Sequence, residues 1–216
     1  MKIPSWRALL MSAQVCIALA LSGCGATLQP SDYAAEQPRM ELKTYFNGTV
    51  DAWGMFQDRS GKVVKRFTVV MDCTWDGDTG TLDEHFTYSD GTKQRRVWTL
   101  KKIGDNRYTG TASDVIGEAN GATGGNAFNW RYTLALPVDG TTYHVNFDDW
   151  MFMMDDKVML NRAVMSKFGF RLGEVTLSFR KREPSAALSS PRALRYERSE
   201  ISDDSDALLA QSATSL

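Results

Sequence analysis

The chain has 216 residues, of which 43% are hydrophobic and 24% are charged, a balance typical of a globular protein. Its 26 acidic residues slightly outnumber the 25 basic ones, and the net charge of −1 excludes the basic excess of a nucleic-acid-binding protein. With only 2 histidines, a His-rich metal site is not expected, and we predict neither a metal nor a cofactor.

Residues 1–23 have the pattern of a secretory leader. Lys2 and Arg7 precede an apolar segment that ends in the run Leu-Ser-Gly-Cys at 21–24. A charged start, a short apolar run and a small-residue cleavage site are the three parts of a signal peptide. The run also resembles a bacterial lipobox, which implies cleavage before Cys24 and lipidation of that cysteine, for example with palmitate. The alternative is an ordinary secretory signal in which Cys24 is incidental.

The residue after this cysteine bears on location. Gly25 stands where the retention signal of enteric bacteria has Asp, which implies sorting to the outer membrane, facing the periplasm. Each buried methylene adds about 0.8 kcal/mol of membrane affinity, so two or three acyl chains form a stable anchor. We therefore predict a lipoprotein held by this lipid at the periplasmic side of the outer membrane.

The cysteines allow no intramolecular disulfide in the exported chain. Cys16 leaves with the leader and Cys24 is lipidated, so Cys73 has no partner. We expect Cys73 to be a small buried hydrophobe.

Composition divides the rest of the chain into three parts. Residues 24–40 are small, polar and proline-bearing, and they predict a flexible tether. Residues 183–216 are rich in Ser, Ala and Asp, and they predict a mostly disordered tail. Between them, residues 41–182 form a core of roughly 140 residues, a usual size for one domain.

Nearly every segment of the core has the period-two alternation of a half-buried strand. In 62–75, for example, Phe67, Val69 and Met71 alternate with polar residues. The alternation predicts nine strands, at 45–57, 62–75, 83–89, 93–103, 106–113, 127–137, 141–154, 157–168 and 171–181. Their connections are short, and several contain Asp-Gly, which is typical of antiparallel hairpins. We predict an all-β, antiparallel up-and-down β-barrel of about 8–9 strands.

The longest irregular stretch is 114–126, which contains four glycines. No helix follows it, so it does not resemble a phosphate-binding loop. We predict a surface loop, with a flap over the barrel mouth as the alternative.

Residues 143–168 have the least regular pattern. Two apolar sets occupy opposite parities, with Tyr143, Val145 and Phe147 in the first and Trp150, Phe152 and Met154 in the second. We predict a β-bulge near 148–149 that keeps both sets on one face. The opposite face then carries His144, Asn146, Asp149, Met151 and Met153. A turn at 155–157 then reverses the chain, so that Asn161 and Arg162 lie on the neighbouring strand of the hairpin.

The acidic pairs of this hairpin, at 148–149 and 155–156, admit three interpretations, one of which is recognition of a ligand. With His144 they are candidates for a metal or acid/base site, although they lack a three-ligand spacing. The third interpretation is a structural polar network, in which Arg162 or Lys167 pairs with a buried acid. The chain contains no nucleophile elbow, catalytic triad pattern or nucleotide fingerprint. An enzyme is therefore the less favoured class, and no catalytic residue is assigned.

The runs Asp-Asp-Trp-Met at 148–151 and Asn-Arg at 161–162 are the most specific of several segments that resemble a known family. The others are Phe-Asn-Gly at 46–48, Asp-Ala-Trp-Gly at 51–54, Lys-Phe-Gly-Phe at 167–170 and Gly-Glu-Val-Thr-Leu at 173–177. Together they resemble the bacterial lipoproteins grouped as domain of unknown function 3833, over nearly all of the core. The resemblance implies a lipocalin-like barrel on a lipid anchor, and it supplies no catalytic residues.

Binding is the function that these observations favour. We predict that the barrel holds or carries a small apolar or lipid-derived ligand, such as a fatty acid, in a dry interior. The candidate ligand-binding residues are Trp53, Phe67, Met71, Trp98, Trp130, His144, Asp149, Trp150, Phe152 and Asn161. The alternative is a packed barrel that serves as a structural or interaction module, with an envelope protein as its partner. A third hypothesis is an enzyme that acts on a lipid through the acids of 148–156.

Overall fold

Ten antiparallel strands make up most of the computed structural model, which describes residues 27–138 and 140–183. The strands are β1 (Gly48–Asp58), β2 (Val63–Asp76), β3 (Thr79–Tyr88), β4 (Lys93–Lys102), β5 (Arg107–Thr111), β6 (Ala119–Gly124), β7 (Ala127–Val138), β8 (Thr141–Met153), β9 (Val158–Lys167) and β10 (Phe170–Lys181). They are preceded by a 3-10 helix (Pro30–Tyr33) and a one-turn helix, α1 (Leu42–Tyr45). None of the helices in these residues is long and apolar enough to span a membrane.

The strands form a closed meander. Each strand pairs with the next one along the chain, and β10 returns to pair with β1, from Val50 opposite Lys181 to Asp58 opposite Gly173. Short connections explain this order, because parallel neighbours need crossovers of a dozen or more residues. The predicted all-β antiparallel barrel is confirmed, with ten strands instead of eight or nine.

The additional strand, β6, lies inside the stretch that the sequence predicts to be a loop. Gly121 of β6 pairs with Trp130 of β7, and a Cβ atom at Gly121 would lie 2.6 Å from the Trp130 ring. A glycine in a strand often marks such a close approach. Gly121, one of the glycines that indicate a loop, therefore allows the Trp130 indole to lie across β6.

Alternation decides which side chains face the interior. In β2, Phe67, Val69, Met71 and Cys73 are buried while their neighbours are exposed, as predicted. In β8 the pairing with both β7 and β9 continues without a break from Asn146 to Phe152, so the predicted bulge is absent. One parity therefore points inward along the whole of β8, and it comprises Val145, Phe147, Asp149, Met151 and Met153.

One end of the barrel is closed by the segment that contains α1. The Trp75 Nε1 donates a hydrogen bond of 2.7 Å to the Phe46 carbonyl, and the Tyr45 hydroxyl donates one of 2.9 Å to the Lys157 carbonyl. Leu42 is fully buried beneath the strands. The predicted strand 45–57 therefore begins three residues late, at Gly48, because the preceding residues cap the barrel.

The predicted tether at 24–40 also differs from the structure over the residues that are described. The 3-10 helix packs on the outside of β6 to β8, where the Tyr33 ring lies 5.1 Å from the Phe152 ring and 5.8 Å from the Trp150 ring. The Met40 amide donates a hydrogen bond of 2.7 Å to the Gly125 carbonyl. The predicted leader, the lipidation site Cys24 and the tail beyond Glu183 lie outside the described residues.

Candidate functional site: a cavity inside the barrel

The barrel encloses a cavity of about 1230 Å³. This volume exceeds that of most small-molecule sites, which measure about 300–1,000 Å³. Leu42 and Phe46 form its floor at the closed end. Asp58, Val64 and Lys93 line it at the opposite end, where Val64 and Lys93 are exposed, so the cavity opens between the β1–β2 and β3–β4 turns.

Aromatic rings line much of this space. The Trp98 ring meets the Trp130 and Tyr132 rings edge to face, at centroid distances of 5.8 and 5.4 Å, and Tyr132 stacks on Phe147 at 4.9 Å. Aromatic pairs prefer edge-to-face and offset-stacked geometries such as these. This part of the wall is therefore apolar.

Six of the ten predicted site residues line the cavity: Phe67, Met71, Trp98, Trp130, Asp149 and Asn161. The side chains come from five different strands, and the closure of the barrel brings them around one space.

The other four predicted residues lie outside the cavity. The predicted interior position of Trp53, Trp150 and Phe152 is wrong, whereas His144 is predicted on the face opposite to the apolar set. Trp53 is 49% exposed because its neighbours on β1, Ala52 and Gly54, are the ones that face inward. His144 is exposed on β8. Without the bulge, Trp150 and Phe152 also face outward.

The outward-facing rings of Trp150 and Phe152 are nevertheless covered by another part of the chain. The Trp150 and Phe152 rings stack on each other at 5.9 Å, and Tyr33 of the N-terminal segment lies over both. Apolar side chains on the outside of a barrel predict a covering element, and the sequence did not reveal which segment supplies it.

A partly buried ion-pair cluster lies inside the barrel, formed by residues that the sequence analysis missed. The Arg96 guanidinium donates to both carboxylate oxygens of Asp114, with Nε to Oδ1 at 3.0 Å and Nη2 to Oδ2 at 2.8 Å. Its Nη1 lies 3.7 Å from Oε2 of Glu84, on the neighbouring strand. Burial raises the pKa of Glu84 from 4.5 to about 7, although Arg96 opposes the shift.

Asp149 forms a second buried polar pair in the same cavity. Its carboxylate accepts a hydrogen bond from Nδ2 of Asn161, which is also 3.3 Å from the Trp150 carbonyl. Burial raises the pKa of Asp149 from 3.8 to about 7, against the effect of this hydrogen bond. The predicted partners Arg162 and Lys167 do not take part, since Arg162 pairs with Glu174 on the outside.

A signal for the missed cluster was present in the sequence. Glu84 shares the parity of Leu82 and Phe86, and Arg96 shares that of Trp98 and Leu100. A charged residue on the apolar parity of a strand indicates a buried charge, which needs a partner. Asp114 carries no such signal because it lies between strands.

The acids of the β8–β9 hairpin are not gathered into one site. Asp148 faces outward and Asp149 inward, while Asp155 accepts hydrogen bonds from the Lys157 and Val158 amides in the turn. Among the described residues, no group of three or more His, Cys, Asp or Glu side chains is placed to hold a metal ion. Cys73 is buried as expected, and burial raises the pKa of its thiol to about 12.

A solved phycobiliprotein lyase supports the fold, and two further solved structures match with TM-scores below 0.5. An S-type phycobiliprotein lyase from Guillardia theta is 10% identical, with a TM-score of 0.50, over 68% of this chain and 95% of that one. A protein of unknown function from the DUF3598 family of Nostoc punctiforme is 9% identical, with a TM-score of 0.48, over 68% of this chain and 51% of that one. A designed fluorescence-activating β-barrel is 12% identical, with a TM-score of 0.37, over 66% and 99%.

Sequence comparison identifies the family. No curated protein matches the chain. One family model does, over residues 18–181, which include every strand of the barrel. The chain therefore belongs to DUF3833, a family described as proteins of unknown function.

Proposed function

We propose that the protein binds a small apolar or lipid-derived molecule inside its barrel. The observation that carries the proposal is the cavity of about 1230 Å³, with aromatic walls and one open end. Native interiors are close-packed and contain few voids larger than a water molecule. An open apolar space of this size therefore favours a binding protein over a packed structural module.

Two neighbouring valines of β2 allow a matched test. Val69 faces the cavity, while Val70 faces outward and is 36% exposed. We expect Val69→Trp to fill part of the cavity and displace the bound molecule, and Val70→Trp to leave it in place. Both full-length variants are purified from their own host in the same way, and organic extracts are compared by mass spectrometry.

Only the difference between the two extracts reports on the cavity, because membrane lipids accompany both variants equally. A compound present at stoichiometric amounts with Val70→Trp and depleted with Val69→Trp identifies the cargo. Identical extracts from two well-folded variants would contradict binding.

The cellular location of the protein is part of the same proposal. The run Leu-Ser-Gly-Cys at 21–24 and Gly25 after it support a lipid anchor on Cys24 and a place at the periplasmic side of the outer membrane. Metabolic labelling with an alkyne analogue of palmitate, followed by membrane fractionation, tests both points. We expect the label in the outer-membrane fraction and its loss with Cys24→Ala. Label that persists in the variant would rule out this anchor.

An interaction module remains the second candidate, because one side of the mouth is apolar. Phe168 and Phe170 are 86% and 73% exposed at the β9–β10 turn, and Val64 is 59% exposed nearby on β2. If both valine variants yield empty extracts and Phe168→Ser with Phe170→Ser abolishes a cross-linked complex with an envelope protein, this candidate replaces the carrier.

A further inference from the structure

The charges inside the cavity have a clear imbalance. Away from its mouth, the cavity is lined by three acids, Glu84, Asp114 and Asp149, and by one cation, Arg96. Asp149 is buried, and the other three side chains are partly buried. The phenol of Tyr132 lies within electrostatic reach of all four groups, which places them in one region of the barrel. With every group ionised, this region carries an excess of two negative charges.

The cation of this region is already paired. Arg96 makes a bidentate contact with Asp114, and its remaining Nη1 lies 3.7 Å from Oε2 of Glu84, too far for a hydrogen bond. Bidentate pairs between guanidinium and carboxylate groups are among the strongest hydrogen-bonded pairs in proteins. A carboxylate ligand would have to displace Asp114 from this pair.

Two buried acceptor atoms in the region have no hydrogen-bond partner. Oε2 of Glu84 and Oδ1 of Asn161 are buried and accept no hydrogen bond. Asn161 is 3% exposed and lines the cavity, and its Nδ2 is already used by Asp149 and the Trp150 carbonyl. Buried polar atoms without a partner are rare in native proteins, and an acceptor is satisfied only by a donor.

We propose that the ligand is an apolar molecule that carries an N–H donor, with a protonated amine as the strongest form, and that this donor binds the acidic region of the cavity. Glu84, Asp149 and Asn161 accept its hydrogen bonds, and the apolar body lies along the aromatic wall. The inference rests on the proposed binding function and specifies the chemical class of the ligand.

The ionisation of the region supports this chemistry. Burial holds the pKa of both Glu84 and Asp149 at about 7 in the free protein. An ammonium group favours their ionised forms, so its affinity rises with pH between pH 5 and pH 8. The other charged groups nearby are Arg96 and Asp114 within the cluster, and Asp83 and Asp148 on the outer faces of the same strands.

Three probes with one chain length provide the test: dodecylamine, dodecan-1-ol and dodecanoate, titrated into the full chain by calorimetry at pH 5 and pH 8. We expect dodecylamine to bind about tenfold more tightly than dodecanoate at pH 8, the size of effect that a charge-assisted hydrogen bond supplies. The difference is expected to shrink at pH 5. Dodecanoate that binds as tightly as the amine overturns the inference and leaves the binding function standing, whereas binding of none of the three overturns both.

Adjacent acids on β8 supply matched variants. Asp149→Asn removes a carboxylate inside the cavity, and Asp148→Asn removes one on the outside. We expect the first to weaken amine binding and spare the alcohol, and the second to change neither. Glu84→Gln repeats the measurement at an independent position if Asp149→Asn fails to fold. An equal loss for all three probes would indicate a structural role and would overturn the inference.

Discussion

Asp148 and Asp149 are neighbours in sequence with opposite environments. Asp148 is half-exposed, and its Oδ1 lies 3.2 Å from Nε of Arg131. Asp149 is buried and has no cation within salt-bridge distance among the described residues. The two positions therefore separate the effect of a buried charge from that of a charge on the surface.

We expect stability to depend on pH through Asp149. Its pKa is raised in the folded protein to about 7, so between about pH 4 and pH 7 the folded state binds more protons than the unfolded state. The free energy of unfolding therefore falls as pH rises through this range. Asp149→Asn removes this contribution. Its gain in free energy of unfolding over the unmodified chain should therefore be larger at pH 8 than at pH 5, by roughly 1–4 kcal/mol, since each pKa unit corresponds to about 1.4 kcal/mol.

Urea unfolding at the two pH values checks this prediction. Asp148→Asn is the control, and its pH dependence should follow that of the unmodified chain. An Asp149→Asn variant with an unchanged pH profile would show that the buried carboxyl titrates normally.

Gly121 is a second residue whose identity is restricted by close neighbours. A Cβ atom there would collide with the Asn129 carbonyl oxygen and with the Trp130 ring. Gly121→Ala should lower the free energy of unfolding by about 1–3 kcal/mol, the usual cost of overpacking. Gly104→Ala is the matched control, because a Cβ atom at Gly104 meets no atom within 4 Å, and it should change stability by less than about 0.5 kcal/mol. Thermal unfolding measures both.

At the level of elements, the β9–β10 turn departs from the residues that its geometry prefers. Phe168 and Gly169 have φ angles of 52° and 80°, as in a type I′ hairpin turn, and Phe168 is the one non-glycine residue with positive φ in the described parts of the chain. Such turns favour Asn-Gly. The phenyl ring is almost fully exposed, so little burial is lost on replacement.

We expect Phe168→Asn to stabilise the protein by about 0.5–1.5 kcal/mol, because Asn tolerates the left-handed conformation better than an aromatic residue. Phe170→Asn is the control, since it removes a similarly exposed ring from a strand, where Asn is disfavoured. Chemical unfolding that shows equal effects of the two substitutions would argue against turn strain.

The elements also show where sequence reasoning succeeds and where it stops. Long uninterrupted alternation, as in β2, identifies both the strand and its buried face. β6 was missed because its glycines do not form a turn: Gly121 allows the approach of Trp130, and Gly124 allows that of Pro30. In β8, Trp150 and Phe152 suggested a bulge, since their cover comes from Tyr33, more than a hundred residues away in sequence. Local patterns cannot specify a contact of that kind.

For the whole molecule, closure of the sheet depends on its last strand. At the seam, Arg182 donates two hydrogen bonds to the Asp51 carboxylate, 131 residues away in sequence. Without β10, both β1 and β9 would expose an unpaired edge. Unpaired edges are templates for association between chains.

Two truncations test the role of this seam. A chain that ends at Gly169 lacks β10, and we expect it to aggregate and to lose its cooperative unfolding transition. A chain that ends at Glu183 keeps every strand, and its unfolding midpoint should match that of the full chain. Light scattering and circular dichroism distinguish the two outcomes, and a soluble, cooperative Gly169 form would show that closure is dispensable.

The position of the N-terminal segment indicates which end of the barrel would lie near a lipid on Cys24. It rests beside the β6–β7 turn, at the end that α1 closes, and its first described residue is Thr27. An extended chain covers at most about 3.6 Å per residue, so a lipid on Cys24 would sit within about 11 Å of Thr27. A bilayer that holds this lipid would then lie near the floor of the barrel, with the mouth turned towards the aqueous compartment. If Cys24 carries the proposed lipid, a cargo would enter the barrel from the aqueous compartment or from a partner within it, and would not be drawn directly out of the membrane that anchors the protein.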